Sequence, residues 1–270
     1  MFFRIPPAVK NLIIINVLLL LGTWALQSTN GSDLNSILGL YYFKSENFHL
    51  YQYFTYMFMH GGFMHLFFNM YALFMFGAAL ENLWGSKRFL IFYFVTGIGA
   101  ALVHTAVNHI MFSSMINEAH ALINTPSPEL LKSFIDEYVK SPNREVYDFI
   151  NKWSEAPKDP AFIETATAMV SNHIQSVINI PTVGASGAVF GILLGFGMLF
   201  PNTQLMLLIP PMPIKAKYFV MIYGAIEVYF AISQPGSNIA HVAHLGGMIF
   251  GFFLIKLWQK NPNNSNGLNF

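Results

Sequence analysis

The sequence predicts an all-α membrane protein: six transmembrane helices, with a helical extramembrane insert between the third and the fourth. Three observations carry this. Hydrophobic residues make up 54% of the 270 positions and charged residues only 10%, with 27 phenylalanines, a balance too apolar for a soluble chain of this length. Six uncharged or nearly uncharged apolar stretches, near residues 11–26, 63–83, 89–112, 184–201, 218–233 and 240–258, have roughly the length needed to cross about 30 Å of hydrocarbon. Between the third and fourth, composition changes abruptly, dividing the chain into 1–112 (spans one to three), 113–183 (the insert) and 184–270 (spans four to six).

The first stretch follows Arg4 and Lys10 and resembles a signal sequence, but no small-x-small cleavage site follows Trp24-Ala25-Leu26. It reads as an uncleaved anchor. Lys87 and Arg88 follow the second stretch, Lys215 and Lys217 the fourth, and Lys256 and Lys260 close the sixth. With Arg4 and Lys10 these residues all fall on one side of a six-span chain, which predicts that both termini are cytoplasmic. Short loops and the lack of a transit-type N-terminus point to a bacterial plasma membrane.

The insert carries nine acidic residues against five basic ones and no long apolar run, so it belongs outside the membrane. Ser127-Pro128-Glu129 supplies an N-cap, an N1 proline and a first-turn acid. Leu130, Leu131, Phe134, Ile135 and Tyr138 follow at helical spacing. Pro142 and Pro160 precede two further amphipathic runs, the last reaching about Ile178. A small acidic helical subdomain is predicted.

A formal net charge of +1 gives no sign of a nucleic-acid partner. The absence of cysteine excludes disulfides, thiolate metal sites and a cysteine nucleophile.

Against this apolar background a few polar groups stand out, because an unpartnered hydroxyl or imidazole in hydrocarbon is costly. Ser186, in Gly184-Ala185-Ser186-Gly187, opens the fourth span, and His244 lies near the start of the sixth. At about 1.5 Å of rise per residue they sit roughly 3 Å and 8 Å below the outer ends of their helices. The second span also begins outside, with His65 and Asn69 four apart on one face and His60 just before. Gly184, Gly187, Gly191 and Gly195 line the fourth span, while Gly247 and Gly251 follow His244 with G-x-x-x-G spacing that lets helix backbones approach closely. Packing of the fourth span on the sixth would bring hydroxyl and imidazole within hydrogen-bond reach, the geometry of a nucleophile and its base. The Asn69 amide, a His65 ring N–H and the Ser186 backbone N–H are candidate donors to an oxyanion.

Gly184-Ala185-Ser186-Gly187, Ala243-His244-Leu245-Gly246-Gly247 and His60 with His65 and Asn69 together resemble the three signature regions of rhomboid intramembrane serine proteases. The resemblance covers all six spans in order. It implies a serine–histidine dyad without a carboxylate that needs no cofactor and cleaves a peptide bond in or beside a transmembrane helix of another membrane protein. Ser186 would be nucleophile and His244 general base, with His65 and Asn69 completing the oxyanion hole, and water reaching the site from the outer face. Glu81 and Gly85 fall where the family keeps a structural acid and glycine. Tyr51-Gln52 stands where many members carry tryptophan–arginine, and Phe190 replaces a tyrosine, keeping the ring that can stack on the imidazole but losing its hydroxyl.

Alternatives stay open at this level. His241, three residues before His244, is a second candidate base. His60 reads as a loop-anchoring or cavity-lining residue, and His104 and His109 as structural. Glu227, midway along the fifth span, is read as locally hydrogen-bonded or neutral, although acids inside spans are functional candidates. Two other functions compete with proteolysis: a relative that binds membrane helices without cutting them, and a metal or haem protein built on His60, His65, His104, His109, His241 and His244. The sequence offers that last reading no cysteine, no His-Glu-x-x-His string and no carboxylate expected beside the histidines.

Overall fold

Apolar runs become helices throughout the computed structural model, which describes residues 5–206, 211–233 and 240–260. Arg4 and the loop Gln234-Pro235-Gly236-Ser237-Asn238 lie outside the described residues. Five helices are long and apolar enough to cross a membrane: Pro7–Asn30, Phe63–Trp84, Ser86–Asn124, Ala216–Ser233 and His241–Lys260. A sixth apolar helix, Ser186–Leu199, is shorter. The protein is therefore an all-α, multi-pass integral membrane protein, whose described residues include only two three-residue strands, Gln204–Met206 and Pro213–Lys215, paired antiparallel.

Two compact units emerge. The first comprises Met1–Leu40, His49–Thr105 and Pro181–Phe270. At its centre lies Ser186–Leu199, most of whose residues are buried. Its 14 residues rise only about 21 Å. The sequence reading begins this span at 184, but the helix starts at Ser186 and extended chain leads into it. Backbone of that kind needs partners wherever lipid surrounds the protein. It finds them: Leu40 and Thr182 exchange backbone bonds of 2.9 and 2.8 Å, and Gly184 N–H donates to the Tyr56 carbonyl at 3.0 Å. Gly184 turns the chain with a φ of +133°, in the region that favours glycine.

Glycine governs the contact between the fourth and sixth spans. A Cβ on Gly247 would stand 1.8 Å from the Gly187 carbonyl oxygen, and one on Gly251 would stand 3.3 Å from that of Gly191. Backbone thus lies directly on backbone, as the G-x-x-x-G spacing implies.

Glu81 fixes the start of the first span. Its carboxylate accepts from the Ala8 and Val9 backbone N–H groups, both at 2.8 Å, and from the Ser86 hydroxyl at 2.6 Å. Ala8 and Val9 follow Pro7 at the beginning of a helix whose first N–H groups have no intrahelical acceptor, so a buried anion there satisfies both dipole and donors. Glu81→Ala is expected to cost about 2–4 kcal/mol, because two buried donors lose a charged acceptor. A thermal melt in detergent checks this; an unchanged midpoint would show that other groups hold the helix start.

The second unit comprises Tyr41–Phe48 and Ala106–Ile180. Three helices, Pro128–Tyr138, Arg144–Glu155 and Pro160–Ile178, are capped by Ser127, Asn143 and Asp159 side chains. Leu131, Phe134, Ile135, Ile150, Trp153, Ala166 and Val170 form its own core. Met115, Ala119 and Leu122 join that core from the helix Ser86–Asn124, which runs on for twelve residues past 112, where sequence alone ends the third span. His109 Nδ1 lies 3.0 Å from the Tyr42 hydroxyl within this unit.

Candidate active site

Ser186 is the first residue of its helix, where the backbone N–H groups of the opening turn have no intrahelical acceptor and the helix dipole is positive. Its Oγ lies 2.9 Å from His244 Nε2. The residue is half-buried, while His244 is buried in the first turn of the sixth span. Phe190, one turn beyond Ser186, stacks on the His244 ring with centroids 4.1 Å apart and planes within 6°. Gly247, on the His244 face, removes the side chain that would otherwise hold the two helices apart.

His65 reaches the same place from the second span. A Cβ on Gly184 would lie 2.9 Å from His65 Nε2 and 3.6 Å from Ser186 Oγ, so ring nitrogen and hydroxyl flank one small residue. The Gly61 backbone N–H donates to His65 Nδ1 at 3.4 Å. With Nδ1 as acceptor, the neutral ring carries its proton on Nε2, the nitrogen beside Gly184. Asn69, one turn on, is buried; its Nδ2 donates to the His65 carbonyl at 2.9 Å, leaving the second amide hydrogen for another acceptor. His60 is buried with its ring edge-on to His65, centroids 5.0 Å apart. His104 faces Thr182, Nε2 to Oγ1 3.0 Å.

Two expectations need correction. Sequence alone placed no carboxylate beside the histidines, and the resemblance implied a pair without one. Glu227 Oε2 in fact lies 2.9 Å from His244 Nδ1 and 2.7 Å from His241 Nδ1. Depth explains it. Glu227 lies six residues before Ser233, about 9 Å of helix before the C-terminal end of the fifth span, within reach of His244 near the start of the sixth. Arithmetic applied to Ser186 and His244 could have found it. His241 is buried, stacked on Phe230 with centroids 5.3 Å apart, and bonds to the carboxylate; the Ser186 hydroxyl bonds to His244.

Glu227, His241 and His244 are the one group among the described residues able to offer three metal ligands. Their separations of 2.7 and 2.9 Å match hydrogen bonds. Tetrahedral ligands at about 2.0–2.1 Å from zinc would stand about 3.3 Å apart. The geometry fits shared protons better than shared coordination.

Small-residue helix packing, a helix N-terminus, a hydroxyl on an imidazole and two flanking polar side chains meet at one place in the first unit. The rhomboid domain family matches residues 47–116 and 161–260, which include every one of these groups. The chain belongs to the rhomboid family, the intramembrane serine proteases that act on membrane-protein substrates within the bilayer. Residues 117–160, with the helices Pro128–Tyr138 and Arg144–Glu155, lie between the matched stretches. No match is found among curated proteins.

Proposed function

We propose that this chain is an active intramembrane endopeptidase, cutting peptide bonds in or next to transmembrane helices of other membrane proteins with Ser186 as nucleophile and His244 as general base. The observation that carries this reading is the 2.9 Å contact between Ser186 Oγ and His244 Nε2. Nε2 takes the hydroxyl proton as Oγ attacks the substrate carbonyl carbon, whose oxygen gains the displaced electron pair. The resulting oxyanion is met by the Ser186 backbone N–H, His65 Nε2–H and the free amide hydrogen of Asn69. Collapse expels the amine, which takes the proton back from Nε2, and leaves an acyl ester on Ser186. Water, deprotonated by the same nitrogen, releases the acid product and the free serine. No cofactor enters the scheme.

Half-exposure of Ser186 and His65 supports a pocket open to water on the side where the fourth span begins. Following the distribution of Lys and Arg, that side faces away from the cytoplasm and both termini lie in it, as in a bacterial plasma membrane. In this reading 113–183 is an extramembrane subdomain set between three spans on either side.

The test is cleavage of single-span substrates carrying small residues and helix-weakening Gly or Pro near the outer interface, by protein in detergent or liposomes. Asn69→Ala is expected to lower kcat by about 10²-fold, the usual effect of removing one oxyanion donor. An Asn69→Ala enzyme of undiminished kcat would remove that residue from the oxyanion hole. If wild type cuts no member of the panel, the helix-binding alternative takes the place of proteolysis.

A further inference from the structure

Glu227 is an acid in the middle of an apolar helix and only 6% exposed. Such a group is costly in a membrane span unless its charge and lone pairs are engaged. One of its oxygens, Oε2, is engaged twice by residues of the sixth span: His244 Nδ1 at 2.9 Å and His241 Nδ1 at 2.7 Å. The two histidines are three residues apart and share a helix face. His244 in turn holds Ser186 Oγ on its opposite nitrogen. Carboxylate, imidazole and hydroxyl therefore form one continuous chain across the fifth, sixth and fourth spans.

We propose that Glu227 is a positioning residue for proteolysis, fixing the tautomer and orientation of His244, with His241 holding the carboxylate in place. The inference rests on the reading of Ser186 and His244 as nucleophile and base. An ionised carboxylate only accepts hydrogen bonds, so both imidazoles donate Nδ1–H to it. In His244 this leaves the Nε2 lone pair for the serine proton. Without the carboxylate the proton can move to Nε2, where the ring can no longer take one from the hydroxyl. As Nε2 gains a proton during attack, the new imidazolium lies against the anion, whereas bulk hydrocarbon offers it nothing comparable. Phe190 on one ring and Phe230 on the other restrict their planes, so the bonds to Oε2 are held rather than sampled.

The experiment measures kcat and KM for wild type, Glu227→Gln, Glu227→Asp and Glu227→Ala on one single-span substrate, with Ser186→Ala as blank and a thermal melt for each. Gln keeps shape and polarity but not charge. Expected are a fall in kcat of about 10²-fold or more in Glu227→Gln with KM within about twofold, and recovery of at least about tenfold in Glu227→Asp over Glu227→Ala. Wild-type kcat in a folded Glu227→Gln enzyme overturns the proposal, as do losses in Gln and Asp variants that are equal and follow their melting points. Because a variant can fail to fold, the wild-type protein supplies a second readout. In ¹⁵N-histidine-labelled protein the His244 signals, assigned by their loss in His244→Ala, are expected to report the Nδ1–H tautomer. An Nε2–H tautomer overturns the proposal. Should Ser186→Ala cleave as fast as wild type, the nucleophile assignment fails instead, which separates the two claims.

Discussion

Ser186→Ala and His244→Ala are each expected to lower kcat/KM by about 10³-fold or more, and combining them should cost little beyond either alone. The reason is physical. Ser186 Oγ and His244 Nε2 share one proton across 2.9 Å, and each is useless for attack without the other. On the proposed mechanism, losing the hydroxyl removes the atom that forms the acyl ester, and losing the ring leaves a hydroxyl that cannot shed its proton at neutral pH. Multiplicative losses in the double variant would mean that the two groups act in separate steps. His241→Ala should lose far less activity than Ser186→Ala or His244→Ala, since its Nδ1 faces Glu227 while the Ser186 hydroxyl bonds to His244. The measurement is initial-rate cleavage of a single-span substrate with each purified variant.

Gly247→Ala should also be damaging, without touching a reacting atom. The added Cβ would meet a backbone carbonyl oxygen 1.8 Å away, and backbone cannot step aside as the end of a flexible side chain can. The fourth and sixth spans must then separate by more than 1 Å. His244 lies on the Gly247 face, and Ser186 precedes the residue being struck, so the separation falls on the Ser186–His244 bond. A misplacement of that size costs about 10²-fold in rate, and overpacking typically about 1–3 kcal/mol in stability. Gly224→Ala is the control. Its Cβ would meet only the end of the Met248 side chain, the methyl at 3.2 Å and the sulfur at 3.8 Å, which can swing away. Near-normal cleavage by Gly247→Ala, with Gly224→Ala impaired, would contradict this account of the helix contact.

Much of the molecule was legible because hydrocarbon imposes strong rules on sequence. Each apolar run became a helix, and the glycines after His244 and around Ser186 announced close backbone contact. In the insert, Ser127 accepts from the Leu130 N–H, and Leu131, Phe134 and Ile135 turn inward from the helix it caps. What escaped was set by three-dimensional neighbours. The helix Ser86–Asn124 continues past 112 because Met115, Ala119 and Leu122 find a core that reaches to Val170, 55 positions after Met115, and no local stop signal or apolar run reveals that. The fourth helix starts two residues inside its apolar stretch because Gly184, its N–H held by the Tyr56 carbonyl, turns the chain at a positive φ, and it ends at Leu199, before Pro201. Glu227 was visible as an oddity, but its partners lie on the next helix, and only a comparison of depths joins them. Gln52, standing where the family often has an arginine, is buried; its side chain accepts from the His49 N–H at 3.1 Å and donates to the Ile37 carbonyl at 3.3 Å, tying the loop without a charge.

The most direct test of the central claim is covalent capture of the serine. Treated with a fluorophosphonate probe in detergent or liposomes, the protein is expected to gain one adduct, mapped by mass spectrometry to Ser186, and to lose it in His244→Ala. No adduct on active, folded protein, an adduct on another serine, or undiminished labelling in His244→Ala would contradict the assignment of Ser186 and His244 as nucleophile and base.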